Sequence, residues 1–150
     1  MMKIKYVNYN KIQVEILKNP SNYKAGEYST ENQEYVTFTD GFVLFFIPKK
    51  CCFLDPTKFN SVDMQKLVDP LLSVNRERAE LSPILKKERT RTILKFVTST
   101  TRAYINEKYI KMFPNCDIEI AEREKPIIAT SMGLLVGLAM PVRVFESEEW

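Results

Sequence analysis

From Tyr35 the chain alternates, Val36 and Phe38 interleaving with Thr37 and Thr39, then meets Asp40-Gly41 and runs uninterrupted apolar from Phe42 to Ile47 before Pro48. A period of two followed by a tight-turn dipeptide and a solid apolar run predicts a strand, a hairpin turn and a second strand buried on both faces. The last third is patterned just as clearly. Strands are predicted over 92–98 and 102–105, after which Asn106 caps a short helix with Tyr109, Ile110 and Phe113 on one face, ended by Pro114. Further strands follow over 117–121 and 126–130, then a turn at Met132-Gly133 and a long terminal strand over 134–144. In that strand Leu134, Val136, Leu138 and Met140 mark a buried side, with Gly137 and Ala139 opposite.

The first third is less decided. Lys3 to Val7 reads as an edge strand. Ile12, Val14 and Ile16 alternate as a strand would, whereas Ile12, Ile16 and Leu17 share a helical face that Asn10 would cap and Pro20 would stop; both readings stand. Residues 19–33, with Pro20, Asn22 and Gly26, read as a loop. Asp55-Pro56 opens a helical segment that carries Phe59, Val62, Met64, Leu67 and Val68 before Pro70. Residues 70–92 read as a connector with one helical turn around 76–81. The sum is a strand-rich α+β fold with antiparallel sheets and two or three short helices.

A length of 150 residues buries one core, so residues 1–144 form one domain and 145–150 an acidic tail holding Phe145 and Trp150. Its two halves, about 1–70 and 92–144, share an outline of strand, short helix and antiparallel run. Between them lies the connector, where charge concentrates. The formal charge is +1 over 1–75, +6 over 76–111 and −4 over 112–150. Arg76, Arg78, Lys86, Lys87, Arg89, Arg91 and Lys95 are therefore the candidates for an anionic partner, duplex DNA among them. Aromatic side chains for stacking on bases are absent among the other residues between Arg76 and Lys95, and a solvated surface is the competing reading.

Catalysis finds little support in the chain. There is no histidine for general-base work near neutral pH, no Gly-x-Ser-x-Gly elbow, and four glycines cannot build a nucleotide-cradling loop. The expectation is a protein that is not an enzyme and holds no cofactor or metal. Asp55, Asp63 and Asp69 follow no calcium-loop spacing, and Cys51, Cys52 and Cys116 fit buried thiols of a reducing cytoplasm better than a disulfide or zinc site. No apolar run approaches the roughly 20 residues that cross a bilayer, and no export signal is visible at the start. A cytoplasmic location without membrane contact is expected.

One resemblance sharpens this picture. The order helix (106–114), strand Asp117-Ile-Glu-Ile, strand Lys125-Pro-Ile-Ile, turn, then Leu134 to Val144 is similar to the end of the beta subunit of bacterial DNA polymerase III, the sliding clamp. Met140-Pro141-Val142-Arg143-Val144 stands where that family ends on Met-Pro-Met-Arg-Leu, and Thr39-Asp40-Gly41 resembles a Thr-Asp-Gly of its middle domain. The similarity covers about 45 residues well and about 100 loosely.

The resemblance implies a DNA-clamp-like fold and a non-catalytic, macromolecule-binding role in DNA replication or repair. The alternative is a protein- or peptide-interaction module with the same fold and no DNA role. It also implies that Met140, Pro141, Val142 and Arg143 bind a short peptide from a polymerase or repair protein. A ring around DNA would need further copies or other clamp domains, which leaves self-association open. In the family's ring the Thr-Asp-Gly and Met-Pro-Met-Arg segments come from different domains. Here one domain carries both, a departure that argues against a complete cleft within one copy.

Overall fold

The computed structural model describes residues 7–144 and Trp150. The expected strand over 3–7, apart from Val7, and most of the acidic tail lie outside the described residues. Among these residues three α-helices accompany ten strands in a single mostly antiparallel sheet, an α+β architecture.

The undecided segment is a helix, α1 (Tyr9–Lys18), capped by Asn8, whose side chain accepts from the Lys11 amide at 3.0 Å. Tertiary burial decides the matter: Ile12, Gln13 and Ile16 face inward together, a helical spacing that alternation cannot produce. Residues 19–33 are not simply a loop, because β1 (Lys24–Ser29) runs through them and pairs along its length with β2 (Glu34–Thr39). The hairpin to β3 (Val43–Pro48) matches its pattern, every residue of β3 being buried. Pro56–Lys58 is a single 3-10 turn, followed by β4 (Asn60–Ser61). The helix begins only at α2 (Met64–Leu72), with Asp63 capping it and Pro70 inside.

The segment expected to be a connector with a helical turn is instead β5 (Glu77–Lys87), the longest strand. Nearly all of it is exposed, so the two-residue burial rhythm that betrays a strand is missing. It leads into β6 (Thr92–Val97), β7 (Arg102–Asn106) and α3 (Glu107–Ile110), which Asn106 caps as expected. Then come β8 (Asp117–Ile120), β9 (Ile127–Ser131) and β10 (Leu134–Ala139). The terminal strand is shorter than expected. A register shift between Leu135 and Gly137 breaks its alternation, so Leu135 and Leu138 join one core cluster while Val136 and Ala139 join the other.

The sheet order is β4-β1-β2-β3-β10-β9-β8-β5-β6-β7. A helix precedes each of the meanders β1-β2-β3 and β8-β9-β10, and their third strands meet antiparallel at the middle, Val43 opposite Ala139. One face packs α1 and residues 109–113 over a large cluster around Phe38, Phe45, Ile105 and Val136. The other packs α2 over Tyr28, Phe46, Ile128 and Leu138. Among the described residues no helix is long and apolar enough to cross a membrane.

Tyrosines tie this packing to pH. Burial pushes Tyr9 and Tyr28 up from 10.0 to about 12, Tyr28 also donating to Asp69 at 2.8 Å, and raises Tyr23, Tyr35 and Tyr109. Because the folded chain holds these protons more tightly than the unfolded one, their contribution is whole below pH 10.0 and is lost as pH rises towards about 12. Denaturant melts followed by fluorescence should therefore show a steep loss of stability across that alkaline range. A flat profile there would contradict the packing.

Candidate functional site

The pairing of β3 with β10 does more than join two meanders. It continues one step past their ends, where the Met140 amide donates to the Phe42 carbonyl at 2.8 Å. This brings the turn between β2 and β3 alongside the end of β10. The turn is locked by its own side chains: Asp40 Oδ1 accepts from the amides of Phe42 and Val43, each at 2.9 Å, and the Thr39 hydroxyl donates to the Val43 carbonyl at 2.8 Å. Gly41 supplies the positive φ of 93° that such a turn needs. Phe42 is thereby turned outward.

Between this corner and α2 lies an apolar groove with a cavity of about 370 Å³. Leu44 and Leu138 form its floor, Leu67 and Leu71 of α2 one wall, and Phe42 and Met140 the opposite rim. Phe42, Leu67 and Met140 are 63%, 45% and 41% exposed. Three large apolar side chains left open around one concavity are the feature most in need of a function. Lys24, Asn22 and Asp40 add a few polar groups at the edge, the usual composition of a recognition site. Asp40 is already engaged by two backbone amides.

Of the four residues assigned to peptide binding, Met140 alone lines this groove. Pro141, Val142 and Arg143 turn away with it into a neighbouring cavity of about 280 Å³ that also touches Arg123 and Glu124. Val142 donates its amide to the Tyr104 carbonyl at 2.6 Å, and Arg143 lies 3.6 Å from Glu124 on the surface. The Thr39-Asp40-Gly41 turn and Met140 both line this groove within one copy. Phe42 and Leu67 carried no motif. Their role follows only from the β3–β10 pairing and the seat of α2, both long-range.

The seven basic candidates do not form one patch. They follow β5 and β6 over a length of roughly 30 Å. Arg76 pairs with Glu119 at 2.6 Å and donates to the Leu72 carbonyl at 2.8 Å, fastening α2 to the sheet. Arg78 pairs with Asp117, Arg91 with Glu88, and Lys95 donates to the Trp150 carbonyl, whose ring packs on Tyr104. The side chains of Lys86, Lys87 and Arg89, at the hairpin tip, make no ion pair or hydrogen bond among the described residues, although Lys86 is near enough to Glu88 to help hold its carboxyl below the usual range.

The other candidates have structural work. Asp55 and Asp63 cap the turns they precede, and Asp69 accepts from Tyr28. The cysteines are free and half-buried; burial pushes the Cys116 thiol up to about 11 and raises Cys52, so neither is a ready thiolate at neutral pH.

Comparison of the chain with protein-family models, with curated proteins and with solved structures finds no match to any of them.

Proposed function

We propose that this protein is a non-catalytic binding module whose groove between α2 and the β3–β10 corner receives a short peptide segment with two or three large apolar side chains. The observation that carries the reading is the convergence of exposed Phe42, Leu67 and Met140 over the buried floor of Leu44 and Leu138. At about 370 Å³ the groove takes a few side chains rather than a whole helical face. Lys24 at its edge favours a segment with an acidic residue beside the apolar ones. The sequence resemblance to sliding clamps supports the same reading, because it assigns peptide capture to the neighbourhood of Met140. On that view the chain is a single clamp-like domain serving DNA replication or repair through its partner proteins.

The test is fluorescence anisotropy with a labelled peptide that carries adjacent leucine and phenylalanine next to an aspartate. Leu67→Asp and Met140→Asp should each weaken capture at least about tenfold, or 1.4 kcal/mol. Both positions are exposed, so thermal melting should stay close to that of the parent chain. Capture unchanged by both substitutions would remove the groove from consideration.

Direct contact with duplex DNA is the second reading, favoured by the unpaired tip of Lys86, Lys87 and Arg89. Three cations give a weak interaction that moderate salt abolishes. Labelled duplex in the same assay distinguishes it, since only that binding would respond to alanine at the three tip positions.

A further inference from the structure

Strand β5 pairs with β8 only from Glu77 to Ala79. From Glu80 to Lys87 it is held by β6 on one side, and its other edge has no strand partner among the described residues. Unpaired edges of this length are usually shortened, covered or charged. This edge carries Pro83, Lys86 and Lys87, yet its centre is apolar: Leu81, Ile84 and Leu85 are 56%, 57% and 44% exposed. Three residues of β5, 82–84, stand opposite a single residue of β6, so this stretch bows out of the ladder.

The charges along the same edge are ordered. Glu80 stands at one end and Lys86 and Lys87 at the other, and none of the three makes an ion pair within the described chain. A strand with an acidic start, an apolar middle and a basic finish complements a copy of itself running the opposite way. With a two-fold axis at Pro83, Glu80 faces Lys86 of the second copy, Leu81 faces Leu85, and the prolines, which have no N–H to offer, face each other at the centre. Leu81 also borders a cavity of about 300 Å³ lined by Phe96 and Phe113.

We propose that two copies of this chain associate edge to edge through antiparallel pairing of residues 80–86, Glu80 of each opposing Lys86 of the other with Lys87 beside it. The contact is independent of the apolar groove, which lies at the far corner of β3 and β10. It is also isologous and therefore closes on itself as a dimer rather than propagating.

Sedimentation velocity on the full chain tests it. The expected species is a dimer of the 17.5 kDa chain. Glu80→Lys alone, or Lys86→Glu with Lys87→Glu, should weaken association by at least about tenfold, because each puts like charges opposite one another. An equimolar mixture of the two variants should restore dimers, since both contacts of the mixed pair are then opposite in sign. A parent chain that stays monomeric, a dimer indifferent to both reversals, or a mixture that fails to reassociate would each overturn the proposal.

Discussion

Replacing Gly137 by valine should lower the stability of the fold by about 3 kcal/mol, towards the upper end of what overpacking a core costs. A Cβ at this position would collide with the ring of Phe113 and stand 2.8 Å from the Leu44 carbonyl of the neighbouring strand. The ring packs on Phe45 with centroids 5.7 Å apart, so moving it aside disturbs the core. Glycine is thus required by a close approach, the residues after α3 being pressed against the centre of the sheet. Phe113→Leu should recover part of the loss in the valine background while costing stability in the parent. Chemical denaturation of the four proteins of that cycle checks the coupling; additive losses would mean that the ring is not what glycine accommodates.

The second large effect is at Gln13, fully buried on the inner face of α1. Its Nε2 donates to the carbonyls of Tyr9 and Cys51 at 3.2 and 3.1 Å. Its Oε1 accepts from the amides of Phe53 and Leu54 at 2.8 and 3.3 Å. One side chain therefore satisfies backbone groups of the irregular stretch after β3 and ties α1 to it. Orphaned buried backbone groups cost about 1–3 kcal/mol each, and two or more are exposed to that cost here. Gln13→Ala should lose about 3 kcal/mol. Gln13→Leu, which keeps the bulk, should lose almost as much, and a leucine variant as stable as the parent would show that packing, not hydrogen bonding, matters at this site.

The contrast between Gln13 and the hairpin at Asp40-Gly41 explains what could be read from the sequence. The hairpin is local: alternation, a turn dipeptide and a buried run lie within about a dozen residues, and β2 and β3 form where the pattern places them. Asn106 and the helix it caps are local in the same sense. Gln13 carries no such local signal, because its partners lie some forty positions away. β1 was hidden by Gly26, a weak strand former that is present because the Val62 carbonyl and Met64 crowd it. β5 was hidden because it is exposed on both faces and carries Pro83, so neither periodicity nor propensity marks it.

The site was legible in Met140 and in the Thr39-Asp40-Gly41 turn, which both line the groove. Met140 could be singled out, but the groove is made by a pairing between strands about ninety positions apart and by a helix whose outward Leu67 resembles any surface leucine. The basic residues show the opposite failure. Adjacent in sequence, they are strung along a hairpin in space, and acidic neighbours such as Glu119 and Asp117 neutralise several of them.

The most direct test of the groove as the binding surface is amide chemical-shift mapping on the isotopically labelled chain while the leucine-phenylalanine peptide is added. The shifts should concentrate at Gly41, Phe42, Leu67 and Met140 and saturate with the affinity measured by anisotropy. Shifts confined to the hairpin tip around Lys86 to Arg89, or none at saturating peptide, would contradict it.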